Sequence, residues 1–271
     1  MHTESGTSIH ETAIISSEAI IGEGVRIGPY AVIGPDCDIG PGTVIGPHVV
    51  MEGRIRVGAR ARISQFASLG APPQDLKYAG EPTSVEIGDD TIIREFVTVH
   101  RGTAGGVGTT RVGKNCLLMA YCHIAHDCQV GDFAILANGV TLGGHVVLGE
   151  QVVIGGLSAV HQFCHVGPYA FLGGMSGVNK DIPPYTKYWG ARGKLYGLNL
   201  VGLRRHGFPK SSVDALREAY RVLFQAEGTR TEAVEKVSVR FADVPEVQGL
   251  CGFLRASKRG VPAGAGGDQE I

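Results

Sequence analysis

Aliphatic residues recur along the first two thirds of the chain at a strict interval of six: Ile15, Ile21, Ile27, Ile33, Ile39, Ile45, Met51, Val57, Ile63 and Leu69. The pattern pauses at 71–84, returns for Ile87, Ile93 and Val99, and pauses again at 100–110. It then runs unbroken from Val112 through Leu118, Ile124, Val130, Leu136, Leu142, Leu148, Ile154, Val160, Val166 and Leu172 to Val178. No helix has this period, and neither has a simple alternating strand. Two residues before each aliphatic stands a small or β-branched residue (Ala13, Ala19, Val25, Ala31, Cys37, Thr43), and glycine often follows it (Gly22, Gly28, Gly34, Gly40, Gly46). Such a hexapeptide repeat predicts a short strand with its aliphatic residue inward, then a turn in which glycine supplies a positive φ. Three units close one triangular coil of eighteen residues. Stacked at the sheet spacing, the coils build a parallel β-helix prism roughly 40–50 Å long, over 9–182, from which 71–84 and 100–110 project as loops.

Beyond Asn179 the six-residue period ends and helical spacing takes over, predicting an α-helical domain over 195–260. "LYGLNLVGLRRHGF" reads as a helix ending at Gly207, "SSVDALREAYRVLF" as a helix with a serine N-cap, and "TRTEAVEKV" as one opened by a Thr229–Glu232 capping box. The glycine-rich tail 261–271 reads as disordered.

Composition narrows the function. The chain has 271 residues, a formal charge of −1 and 41 glycines. That balance argues against a nucleic-acid partner, and neither a signal peptide nor an apolar run long enough to enter a membrane is visible, so a cytoplasmic location is expected. Five of the six cysteines (Cys37, Cys116, Cys122, Cys128, Cys164) hold the small slot of the repeat, where they pack rather than react, and Cys251 falls in an apolar helical stripe.

The histidines break the pattern. His123, His126, His145, His161 and His165 fall in turns or at outward positions, where a structural repeat asks for nothing so polar. Eighteen-residue columns place Asp127 beneath His145, and His126 beneath Gly144 with Gln162 one coil further. Three readings fit this edge. Neutral imidazoles can bind zinc, as in carbonic anhydrases built on the same solenoid. One imidazole can instead act as a general base for acyl transfer. The solenoid can also serve as a plain scaffold, though a rod has no need of two large loops.

The segments "QDLKYAGEPT", "HRGT", "HIAHDC", "AVHQFC", "GGMSGV" and "DIPPY" together resemble the UDP-N-acetylglucosamine O-acyltransferase family, from about Ile9 to Gly260. The resemblance implies a left-handed parallel β-helix with a C-terminal α-helical domain, assembled as a homotrimer with active sites between neighbouring prisms. It further implies transfer of an (R)-3-hydroxyacyl chain from acyl carrier protein to the 3-hydroxyl of UDP-N-acetylglucosamine, the first step of lipid A synthesis, without metal or cofactor. His126 becomes the base, Asp127 its orienting partner, and the Gly144 N–H the oxyanion donor. Asp75 and Lys77 correspond to sugar and phosphate contacts, and His123, His145, His161 and Gln162 line the cleft. Asn199 and Arg205 match nucleotide or donor contacts, and Gly174 the position that sets acyl length. Val201, Ala191 and His206 depart from the family's usual carboxylate, asparagine and arginine. Some family members accept a 3-amino sugar nucleotide and form an amide.

Overall fold

The computed structural model describes residues 6–225 and 228–265. Short parallel strands, most of two residues, form three sheets of eleven, nine and eight strands. They are the three faces of a left-handed parallel β-helix. Each strand pairs with the third strand on, as Val44–Ile45 does with Arg62–Ile63. The period-six aliphatics therefore stack into one core, with Ile45, Ile63, Ile93, Leu118, Leu136, Ile154 and Leu172 fully buried along the first face. Truncating one such residue to alanine typically costs about 2–5 kcal/mol.

The glycine that follows each aliphatic does not supply the positive φ. That conformation falls two residues later, mostly on non-glycine residues such as Tyr30, His48, Phe66, Tyr121, Asp127, His145 and Phe163. Gly22, Gly28 and Gly40 are needed for close approach instead. A Cβ on them would lie 2.8 Å from Ile39 O, 2.8 Å from Pro47 N and 2.6 Å from the Gly58 carbonyl carbon, all backbone of the next coil.

The small slot also carries polar work. Thr43 Oγ1 donates to Gly58 O (2.9 Å) and accepts from Ala61 N (3.2 Å), which satisfies two buried backbone groups of the coil above. The cysteines in this slot are buried, and burial pushes Cys116 and Cys122 up to about 11 and Cys128 to about 12. None of them offers a thiolate.

Both loops leave the prism at the edge between the second and third faces. The coil offset, eighteen residues between uninterrupted hexapeptide coils (Ala61 over Thr43), becomes thirty across the first loop (Ala59 to Asp89) and twenty-five across the second (Thr98 to His123).

At the far end, strand Thr186–Trp189 continues the first sheet and pairs antiparallel with Lys194–Leu198. Helices α1 (Leu200–Arg205), α2 (Lys210–Phe224), α3 (Arg230–Arg240) and α4 (Pro245–Ala256) follow. Three sequence expectations change here. Residues 195–198 are strand, because Leu195 and Leu198 bury against the solenoid end, and α1 starts only after the Asn199 cap. Helix α2 begins at Lys210 behind Pro209, with no serine cap. The tail is not free from 261: the Leu195 backbone donates to Ala263 O (3.0 Å) and accepts from Ala265 N (2.8 Å), and Val261 is buried. Residues 266–271 lie outside the described residues. The Thr229 cap on Glu232 N forms as expected (3.3 Å). Asp181 clasps the two parts together, accepting from His165 N (2.9 Å) and Ser257 Oγ (2.7 Å). Among the described residues, no helix is long and apolar enough to cross a membrane.

Candidate active site

The turns of successive coils bring His126 and Asp127, then Gly144 and His145, then Gln162 and Phe163, to the edge from which both loops project. Asp127 holds the centre. Its φ is 60°, in the left-handed turn position of the repeat, and its N–H donates to Thr110 Oγ1 at 2.8 Å. Its carboxylate is buried and accepts from His126 Nδ1 (2.9 Å), Thr103 Oγ1 (2.6 Å), Thr103 N (3.1 Å) and Gly108 N (2.9 Å). Burial alone would push this carboxyl up, but the hydrogen bonds from Thr103 and His126, with the Thr103 and Gly108 amides, bring it below the ordinary carboxylate value.

An ionised carboxylate only accepts, so His126 Nδ1 is the donor, and in the neutral ring the lone pair lies on Nε2. His145 meets the His126 ring edge-on at 4.9 Å between centroids and stacks on Phe163 at 4.4 Å. Gly144 lies directly over His126: a Cβ there would be 2.6 Å from Cε1 and Nε2. Among the described residues, no group accepts a hydrogen bond from the Gly144 N–H. An imidazole nitrogen and an unengaged backbone donor thus stand side by side.

Ligand atoms of His126, Asp127 and His145 lie within 4.8 Å of one another, close enough for one metal ion. Asp127 Oδ2, however, already takes the His126 N–H and the Thr103 hydroxyl, Oδ1 takes the Gly108 amide, and the Thr103 amide is shared between the two. With its lone pairs spent, the carboxylate serves a hydrogen-bonded dyad better than a metal.

The remaining sequence candidates divide into two groups. His123 lies on the second face with Nδ1 2.7 Å from Thr98 Oγ1, and burial pushes it below the usual histidine value. His145 is also pushed down by burial, against the opposing pull of Asp127 and with His126 and Asp75 acting on it as well. That coupling ties Asp75 of the first loop to this edge, where its Oδ1 accepts from Lys77 N (3.0 Å). His161 and Gln162 line a cavity of about 560 Å³ that starts at Gly144 and runs past Ala159 and Gly177 to Arg192. Gly174, Asn199 and Arg205 lie elsewhere. Gly174 falls on the edge between the first and second faces. Asn199 caps α1, accepting from Gly202 N (3.1 Å). Arg205 lines a second cavity of about 730 Å³ with Lys187, Arg204 and His206 against the first face. Within one chain these three do not meet His126.

Sequence reasoning missed His100 and Thr103. Both stand in "HRGT", where the second loop shifts the coil offset, so eighteen-residue columns pass them by. His100 is 7% exposed and meets His123 edge-on at 4.9 Å. Burial, then the His123 and His126 rings, push it from 6.5 down to about 4. The unfolded chain therefore binds more protons than the folded one between those values, so the stabilisation is whole above pH 6.5 and is lost as pH falls towards 4. The expected loss from this one group is about 3 kcal/mol. Denaturant unfolding at neutral pH and near pH 4 measures it: His100→Asn should flatten the dependence, and an undiminished slope would remove His100 as its source.

Residues 181–262 match the second domain of the Udp N-acetylglucosamine O-acyltransferase family, and 18–53 and 109–144 match the bacterial transferase hexapeptide (six repeats). An acyl-[acyl-carrier-protein]–UDP-N-acetylglucosamine O-acyltransferase of Myxococcus xanthus is 51% identical over 205 residues, covering 76% of this chain and 80% of that protein. One from Halorhodospira halophila is 48% identical over 206 residues, with the same coverage of each. The structure of LpxA from Acinetobacter baumannii superposes with a TM-score of 0.91 at 44% identity, over 94% of this chain and 99% of that one. With the fold, the helical end and relatives near half identity in agreement, the chain belongs to the UDP-N-acetylglucosamine O-acyltransferase family.

Proposed function

We propose that this chain transfers an (R)-3-hydroxyacyl group from acyl carrier protein to the 3-hydroxyl of UDP-N-acetylglucosamine, opening lipid A synthesis in the cytoplasm. The observation that carries the reading is the His126–Asp127 dyad beside the unengaged Gly144 amide. A sugar hydroxyl is a poor nucleophile, and His126 Nε2 takes its proton as the oxygen attacks the thioester carbonyl. The Gly144 N–H donates to the oxyanion that forms. Collapse expels the carrier thiolate, which takes the proton back from His126. No acyl-enzyme is needed, in keeping with thiols that burial holds protonated.

Two apolar surfaces support a homotrimer. Ile92, Leu117, Ile135, Val153 and Phe171 take the outward positions of the first face, while the third face carries Asp38, Arg56, Glu86 and Arg111. Tyr30, His48, Phe66, Phe96 and Tyr121 stack at about 5 Å along the edge shared by the first and second faces, and their rings are largely exposed. Packing that edge inward turns the first face and α1 of one copy, with Asn199 and Arg205, towards the catalytic edge of the next, and leaves Gly174 at the inner end of the groove between them. Arg204, Arg205, Lys210 and Arg217 then offer basic ground for the acidic carrier.

Mass spectrometry of the product made from UDP-N-acetylglucosamine or its 3-amino analogue, with a series of hydroxyacyl carrier thioesters, tests the reaction; product from the 3-amino analogue alone, or from neither acceptor, would overturn it. The same series reads acyl length. A Cβ on Gly174 would lie 3.3 Å from Gly156 O, a tight contact that a shift of a few tenths of an ångström relieves. Gly174→Met should shift preference to shorter donors, since each excluded methylene forfeits about 0.8 kcal/mol. Unchanged selectivity would free Gly174 of that role.

A further inference from the structure

We infer that Thr103 is a positioning residue of the reaction: the second loop folds into a collar whose hydroxyl and amides hold the Asp127 carboxylate ionised and aimed at His126 Nδ1. The inference rests on the reading of His126 as the base.

The loop is built around the carboxylate. Thr103 is 7% exposed and contacts it twice, through Oγ1 at 2.6 Å and through its amide at 3.1 Å. Gly108, at φ 77°, turns its own amide back onto Oδ1 at 2.9 Å. Gly106 passes so close that a Cβ there would overlap the Asp127 carboxyl, and its N–H closes the ring onto Thr103 O at 3.1 Å. From the solenoid side, Thr110 Oγ1 takes the Asp127 N–H and pins the left-handed turn. A threonine in the small slot elsewhere bridges backbone groups of the next coil, as Thr43 does. At Thr110 the same slot serves the catalytic turn.

The chemical consequence concerns which oxygen His126 meets and how strongly. The charge-assisted Thr103 bond is the shortest at the carboxylate and falls on Oδ2, the oxygen that also accepts His126 Nδ1–H. Without it, burial of a charge lacking one of its donors favours carboxylate rotation, a protonated carboxyl, or a tighter grip on the imidazolium. Each outcome spoils the tautomer or the basicity of Nε2. The titratable groups facing His126 are Asp127, His145 and, at longer range, His100, with Asp75 acting on His145. Thr103 is uncharged, buried and bonded to Asp127, so it acts on His126 through that carboxylate.

Three substitutions test this, measured against His126→Ala by steady-state kinetics across pH and by thermal unfolding. Thr103→Val and Thr103→Ala remove the hydroxyl, and the smaller alanine keeps the test open where valine fails to fold. Both should lower kcat by about tenfold to a hundredfold, with KM for the sugar nucleotide little changed. The acid limb of the kcat/KM profile should move to higher pH. Thr103→Ser should restore rate and profile together. A merely structural threonine would lower the melting temperature and leave the pH profile where it was, which would overturn the inference, as would wild-type kcat in Thr103→Ala beside an inactive His126→Ala. If His126→Ala itself keeps turning over, the base assignment falls first and the positioning role with it.

Discussion

His126→Ala is expected to fold and assemble normally while losing activity by about 10²-fold or more, the usual contribution of a general base. The fold should survive because the imidazole lies outside the aliphatic core, and its backbone keeps its coil contact, His126 O accepting from His145 N at 3.0 Å. Asp127 keeps the Thr103 and Gly108 donors, so no buried charge is stranded. The rate should fall because no neighbour can replace the base. His145 Nδ1 is 3.9 Å from Asp127 Oδ2, too far for a hydrogen bond to fix its tautomer, and its ring stacks on Phe163. Residual activity should reflect what orientation and the Gly144 amide supply without proton transfer. Product formation by purified variant, with circular dichroism and size-exclusion as controls for folding and assembly, decides the matter. Turnover near the wild-type rate would remove His126 as the base.

The solenoid was legible because one residue in six must be aliphatic for a triangular coil to have a core, and a period of six matches no other regular element. The same arithmetic placed His126, Asp127, Gly144, His145 and Gln162 on one edge, where the coil offset is constant. It failed where the offset changes. Counting back eighteen from His126 lands on Gly108, whereas the actual pairing across the second loop is twenty-five, as for Thr98 and His123, and brings His100 beneath Ala125. Thr103 was equally hidden, since its role depends on how a glycine-rich loop folds back. The glycines were read with the wrong physics. Left-handed turns fall on residues such as Tyr30, His48 and His145, while the glycines two residues earlier, Gly28, Gly46 and Gly143, make room for the coil above. Helical spacing overran 195–198 because a two-stranded closure of the solenoid end is a tertiary event with no local signature. Gly174, Asn199 and Arg205 came from family likeness alone, and one chain does not bring them to His126.

Gly144→Ala is the second substitution expected to cost activity by about 10²-fold, and it should do so with little change in stability. Gly144 is not in the left-handed region, so its backbone accepts a Cβ. A Gly→Ala change gains about 0.4–1 kcal/mol through the unfolded chain, which offsets part of the cost of displacing the imidazole, so the melting temperature should change little. The new methyl would sit 2.6 Å from His126 Cε1 and Nε2, which no real contact sustains, so the imidazole must move. It cannot move freely, because Nδ1 is tied to Asp127 at 2.9 Å and the edge of His145 closes one side. The ring either breaks that hydrogen bond or swings its Nε2 away from the hydroxyl, and the methyl also crowds the approach to the Gly144 amide. Gly143→Ala gives the contrast. Its Cβ would strike the Gln162 backbone N at 2.8 Å, an atom of the next coil, so that variant should lose stability first. Parallel melting curves and rates separate the two. If Gly144→Ala turns over normally, the imidazole has another productive pose, and the crowding at Nε2 does not limit the reaction.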